Sequence, residues 1–113
     1  MKIIAAPISL PDLKVMAESR FGNLVKAVID VERKIMALDG ELHADEEALL
    51  LENGSRQENL WGINIYPGKS AEEQIEFTSL INIRPSVGNR AIEIQDENIK
   101  QIIKKIWTGL NYH

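Results

Sequence analysis

Between Leu60 and Arg84 the apolar residues change sides at almost every step, and that alternation ties the chain to folds built around a sheet. In Leu60–Tyr66, Trp61, Ile63 and Ile65 fall on one face, with Gly62, Asn64 and Tyr66 on the other. A two-residue period is what a strand with one covered and one wet face produces. Ile75–Arg84 repeats it, with Ile75, Phe77, Ser79, Ile81 and Ile83 against Glu76, Thr78, Leu80, Asn82 and Arg84. Pro67-Gly68 ends the first run.

Residues 24–38 fit two periods. Leu24, Val28, Val31, Ile35 and Leu38 would form a helical stripe, but Val25, Val28, Ile29 and Val31 crowd β-branched side chains that lose rotamer freedom in a helix. The second argument favours a hairpin, Leu24–Val31 then Lys34–Leu38, turning at Glu32-Arg33. Asp39-Gly40 supplies a further turn that would pair the second strand with Glu41–Ala44. Ala48–Glu52 would then lead through Asn53-Gly54, a strong hairpin signal, into Leu60–Tyr66. Residues 2–6 read as one more short strand.

Helical patterns bracket this region. Ser9 reads as an N-cap with Pro11 and Asp12 in the first turn, followed by Leu10, Leu13, Met16, Ala17 and Phe21 at helical spacing and a stop at Gly22. Asp96 caps a second pattern, in which Ile99, Ile102, Ile103, Ile106 and Leu110 form an apolar stripe. The expected class is α+β: a largely antiparallel sheet of about five strands, with an N-terminal and a C-terminal helix on one face.

The chain has 113 residues, no repeat and no linker, which fits one domain, residues 1–113. With no cysteine, disulfides, thiolate zinc sites and cysteine nucleophiles are excluded, and a cytoplasmic setting is the simplest expectation. Thirteen basic against seventeen acidic residues give a net charge of −4, which argues against nucleic acid as a partner. Lys100, Lys104 and Lys105 are accounted for by the last helix's C-terminal dipole. No run approaches the roughly 20 apolar residues of a membrane span, and Ile3–Ala6 before Pro7 is too short for a signal peptide.

Chemistry has two candidate locations. If Glu41–Asp45 is extended, Glu41, His43 and Asp45 project from one face. His43 is the one histidine inside the body of the chain, since His113 ends it, and suits a general acid or base oriented by either carboxylate. As metal ligands the three would suit Mg²⁺ or Mn²⁺ better than zinc, although a structural histidine bonded to a carboxylate is the plainer expectation. The second location is Arg84-Pro85-Ser86-Val87-Gly88-Asn89-Arg90. Two guanidinium forks, a hydroxyl and a loosened backbone are the parts of a small anion site, unless the arginines pair with the chain's own carboxylates such as Glu93. Asn64 and Asn82 in mid-strand also need a reason, because asparagine is depleted from strands; holding other side chains in place by hydrogen bonds would supply one. Trp107 and Tyr112, near the end of the last helix, offer a homodimer contact. Gly62 to Ser70 is not a phosphate-binding P-loop, having five residues between its glycines where four are required. No serine-hydrolase elbow or dinucleotide fingerprint occurs, and no cofactor is indicated.

Three segments, Gly40–Asp45, Gly54-Ser55 with Gln57 leading to Leu60–Pro67, and Ile81–Pro85 with Gly88-Asn89-Arg90, together resemble a small prokaryotic family catalogued as a domain of unknown function. The resemblance runs over nearly the whole chain and implies a compact single domain of cytoplasmic type. It carries no activity and no residue role. The expected function is binding of a small polar or anionic ligand in a cleft near His43 and Arg84, with hydrolytic or acid–base chemistry if the protein is an enzyme. The alternative is a non-catalytic homodimeric interaction module, in which the polar segments would be scattered or sealed and an apolar patch exposed elsewhere.

Overall fold

The computed structural model describes residues 1–112, with side chains through Leu110. In chain order the elements are β1 (Lys2–Ile4), β2 (Ile8–Ser9), α1 (Leu10–Arg20), β3 (Val25–Asp30), β4 (Ile35–Leu38), α2 (His43–Glu52), β5 (Leu60–Ile65), β6 (Ile75–Glu76), α3 (Glu97–Leu110) and β7 (Asn111–Tyr112). Single 3₁₀ turns occupy Gln57–Asn59, Leu80–Asn82 and Pro85–Val87. Five strands form an antiparallel sheet in the order β1-β4-β3-β5-β6, and β2 pairs in parallel with β7.

The β-branched argument at residues 24–38 holds: β3 and β4 form a hairpin in which Asp30 faces Ile35 and Ala27 faces Leu38. Asp30 is fully buried and builds the turn, its Oδ1 accepting the backbone N–H groups of Glu32 and Arg33 at 2.9 Å. The α1 cap is as expected, with Ser9 Oγ accepting from the Asp12 N–H. Gly22 takes φ 93° and sends its N–H back to the Ala17 carbonyl. Asp96 Oδ1 likewise accepts from the Asn98 and Ile99 amides at the start of α3.

Three expected strands are corrected. Glu41–Ala44 and Ala48–Glu52 belong instead to α2 and its approach, and the partner of β4 is β1, with Ile3 opposite Ala37. Ala44, Glu46, Glu47, Ala48 and the three leucines are strong helix formers, and Asp45 and Glu46 complement the positive end of the helix dipole. Asn53-Gly54 is therefore a helix stop rather than a hairpin turn. Gly54 takes φ 93°, and the Ser55 N–H returns to the Leu50 carbonyl. Third, Ile75–Arg84 leaves the sheet after Glu76, and its remainder becomes an excursion over residues 78–93.

Gly62 explains that departure. A Cβ built there would lie 2.5 Å from Ser79 Cβ and 3.1 Å from Ile81 Cγ1, so the excursion packs directly on bare backbone. In place of a strand, the Asn82 carboxamide pairs with this edge: Oδ1 accepts the Gly62 N–H at 2.8 Å and Nδ2 donates to the Gly62 carbonyl at 3.0 Å.

Alternation on β3 and β5 sorts the core. Val25, Ala27, Ile29, Trp61, Ile63 and Ile65 share one buried cluster with Leu13 and Ala17 of α1 and Ile103, Ile106, Trp107 and Leu110 of α3. Val28, Ala37 and Leu60 form a second cluster with Leu50 of α2. Each fully buried aliphatic side chain contributes roughly 1.5–3 kcal/mol. Trp107 belongs to the first cluster and is not surface available for a dimer contact; the Tyr112 side chain lies outside the described residues.

Candidate functional site

The helical course of α2 separates the acidic–histidine triplet. His43 and Asp45 stand two apart on a helix, on different sides, and Glu41 lies before it. Asp45 is exposed, and Glu41 is exposed and 3.6 Å from Arg20 Nη1. The inward residues of α2 are His43, Glu46, Glu47, Leu49 and Leu50, spaced as one helical face.

His43 is half-buried, and its Nε2 lies 2.8 Å from the Ile63 carbonyl. A carbonyl only accepts, so Nε2 carries the hydrogen and donates. Burial holds the imidazole pKa below its ordinary value, against the Ile63 bond and with help from the charge on Lys26. One turn on, Glu46 is fully buried; its Oε2 accepts the Gly40 N–H at 3.0 Å and its Oε1 has no hydrogen-bond partner among the described residues. Burial raises this carboxyl to about 8. An acidic residue three after His43 and four before Leu50 was the available sequence signal for it, once α2 is read as a helix.

Arg84 is 9 % exposed and bound almost wholly to its own chain. Nη1 donates to the Gln57 carbonyl at 2.8 Å, Nη2 to the carbonyls of Leu60 and Ile81, and Nε to Ile81 as well. Nη2 also lies 3.9 Å from Glu47 Oε2, and the guanidinium stacks 4.9 Å over the Trp61 ring. Burial lowers its pKa and Glu47 opposes that shift. The asparagines are equally committed. Asn64 Nδ2 donates to Glu76 Oε1 and to the Thr78 carbonyl. Asn89 Nδ2 donates to the carbonyls of Asn82, Ala91 and Glu93, while its Oδ1 accepts from the Gln95 N–H.

Asn82 thus satisfies both Gly62 backbone groups and, through Nδ2, the Ile92 carbonyl. Replacing Asn82 with Ala strands both Gly62 backbone groups in a buried setting, while the Ile92 carbonyl keeps the Ser79 N–H, and urea denaturation is expected to show a loss of roughly 3 kcal/mol. A loss under about 1 kcal/mol would mean that water replaces the carboxamide.

Two open clefts adjoin at Glu58 and Val87. One, of about 450 Å³, is lined by Arg56, Gln57, Glu58, Arg84, Ser86 and Val87. The other, of about 430 Å³, is walled by Trp61, Gly88, Asn89, Gln95, Asp96 and Ile99 besides the shared pair. Arg84, Ser86 and Asn89 are therefore brought together, and His43, Glu41, Asp45 and Asn64 are not among their neighbours in either cleft. Ser86 is exposed and its hydroxyl makes no hydrogen bond among the described residues. Arg90 is exposed and engages Gln95 only through its backbone N–H; Glu93 pairs with Lys100 instead. Sequence reasoning missed Arg56 and Glu58, an exposed ion pair at 3.2 Å on the near rim. Among the described residues no group of three or more histidine or acidic side chains is placed to hold a metal ion.

No curated protein and no solved structure matches the chain. A family model, described as a protein of unknown function (DUF5674), matches residues 2–110, and with nearly the whole chain covered the protein belongs to that family.

Proposed function

We propose that the protein is a small-ligand-binding domain whose site is the pair of adjoining clefts between the Arg56–Glu58 turn and the Arg84–Asn89 loop. The observation that carries this reading is the convergence of Arg84, Ser86 and Asn89 on that one surface, with the free Ser86 hydroxyl and the exposed Arg56 guanidinium, paired to Glu58, at its rim. Arg84 acts there as a wall and a fixed positive charge, because its donors are spent on carbonyls. Arg56 and Ser86 are the groups left to meet a phosphate or carboxylate. The reading contains no acid–base step at His43, whose Nε2–H is committed to Ile63. A cytoplasmic setting accords with the absence of cysteine, and no helix among the described residues is long and apolar enough to cross a membrane.

Titration of ¹⁵N-labelled protein with inorganic phosphate and with citrate tests this. Shifts are expected at the amides of Arg56, Ser86, Val87 and Gly88, and Arg56→Ala should weaken the response about fivefold, the worth of one exposed charge-assisted contact. Silence at those amides would overturn the cleft as an anion site. That result would favour the interaction module, for which one observation speaks. Leu80, Ile83, Val87 and Ile92, all on the 78–93 excursion, are between 44 and 78 % exposed.

A further inference from the structure

A second concavity lies further along α3, toward its C-terminal end, and shares no lining residue with the polar clefts. Ala5, Ile102, Ile106 and Leu110 give it an apolar lining, Lys34 and Lys105 border it, and Gly109 leaves a stretch of helix backbone bare. Its volume is about 450 Å³, within the range of small-molecule sites. Ile102 stands 39 % exposed on a helix whose other stripe residues are covered.

Two residues at this groove depart from the commonest local choices. Lys34 takes φ 58° in the β3–β4 turn, a left-handed conformation that glycine or asparagine fills with less strain. Gly109 sits within the last turn of α3, where glycine weakens a helix. It does not take the left-handed φ of a helix-ending glycine, and a Cβ built on it would meet nothing within 4 Å. Neither residue serves packing, yet both border the same groove. Departures from local consistency of this kind mark functional positions.

The charges say what would occupy it. Lys34 and Lys105 are exposed and make no ion pair among the described residues, so both ammonium groups are open to a ligand. Two unpaired ammonium groups beside an aliphatic floor complement one negative head on an aliphatic tail. We infer that this groove binds a single-chain aliphatic carboxylate, its tail along Ile102, Ile106 and Leu110, its head between Lys34 and Lys105, and its closest approach at Gly109.

The matched pair decanoate and decanol, each kept below its aggregation limit, tests the inference by ¹⁵N shift mapping and calorimetry. Decanoate is expected to shift Ala5, Lys34, Ile102, Lys105 and Gly109, and to bind at least about fivefold more tightly than decanol. The Lys34→Asn, Lys105→Gln double variant should erase that preference while leaving decanol binding unchanged. Gly109→Ala should raise the melting temperature, because the new methyl has room and helix propensity improves, yet weaken decanoate binding. Equal binding of the two probes would overturn the assignment and leave a plain apolar patch. So would shifts at these residues that grow with protein concentration alone, which would identify a second copy as the occupant. Decanoate binding undiminished in the double variant would remove the lysines from the site. None of these outcomes depends on the polar clefts, whose residues are different.

Discussion

Arg84→Ala is expected to cost roughly 3 kcal/mol of folding stability, the scale for removing one partner from a buried polar cage. The substitution strands the carbonyls of Leu60 and Ile81, takes one of two donors from the Gln57 carbonyl, which keeps the Leu60 N–H, removes the charge beside Glu47 and uncovers the Trp61 ring. Those carbonyls come from the turn before β5, the first residue of β5 and the excursion, so one guanidinium ties three separate segments. Urea denaturation followed by circular dichroism reads the loss. Arg84→Lys separates charge from geometry: an ammonium restores the attraction to Glu47 but cannot reach three carbonyls at once, so it should recover under half of the deficit. Full recovery by lysine would show that charge alone matters, and a loss under about 1 kcal/mol in the alanine variant would show that the cage contributes little. The same reasoning dictates that ligand binding in the polar clefts be tested at Arg56 and not at Arg84, whose removal disturbs the walls themselves.

Much of the sheet was legible because its signals are local and redundant. The β3–β4 hairpin follows from four β-branched residues in seven positions, and β5 from strict alternation around Gly62 and Asn64. The capped ends of α1 and α3 follow from Ser9 and Asp96, each of which bonds as its position predicts. What failed was α2, for two physical reasons. Five residues, Glu41–Asp45, are too few to separate a period of two from one of 3.6. Asn53-Gly54 is also ambiguous, since the left-handed φ it offers ends a helix as readily as it turns a hairpin. The error propagated, because placing His43 on a strand face created a triplet that the helix takes apart. The placement of Arg84, Ser86 and Asn89 on one surface did not depend on it, their closeness being set by short sequence separation rather than by element type. The reason expected for Asn82 is corrected: it lies in a 3₁₀ turn, not in mid-strand, and it holds backbone rather than other side chains, namely that of Gly62, twenty residues earlier.

Glu46→Gln is expected to stabilise the protein increasingly as pH rises from 5 to 8. Desolvation raises the folded-state pKa of Glu46 from 4.5 to about 8, overriding the Gly40 N–H bond and the positive charges of Lys26 and the N-terminal amine; Asp39 pushes in the same direction as burial. The unfolded chain releases this proton near 4.5 while the folded chain holds it, so every step of pH between the two values favours unfolding. Stability from this group is complete below pH 4.5 and is lost as pH climbs through 8, by on the order of 3 kcal/mol between pH 5 and 8. A glutamine keeps the carbonyl oxygen that accepts from Gly40 and has no proton to lose. Subtracting the wild-type from the variant unfolding free energy at each pH cancels the other titrating groups, and the difference should climb steadily across this window. A flat difference would place the Glu46 pKa near its ordinary value and require a counter-charge or water at Oε1.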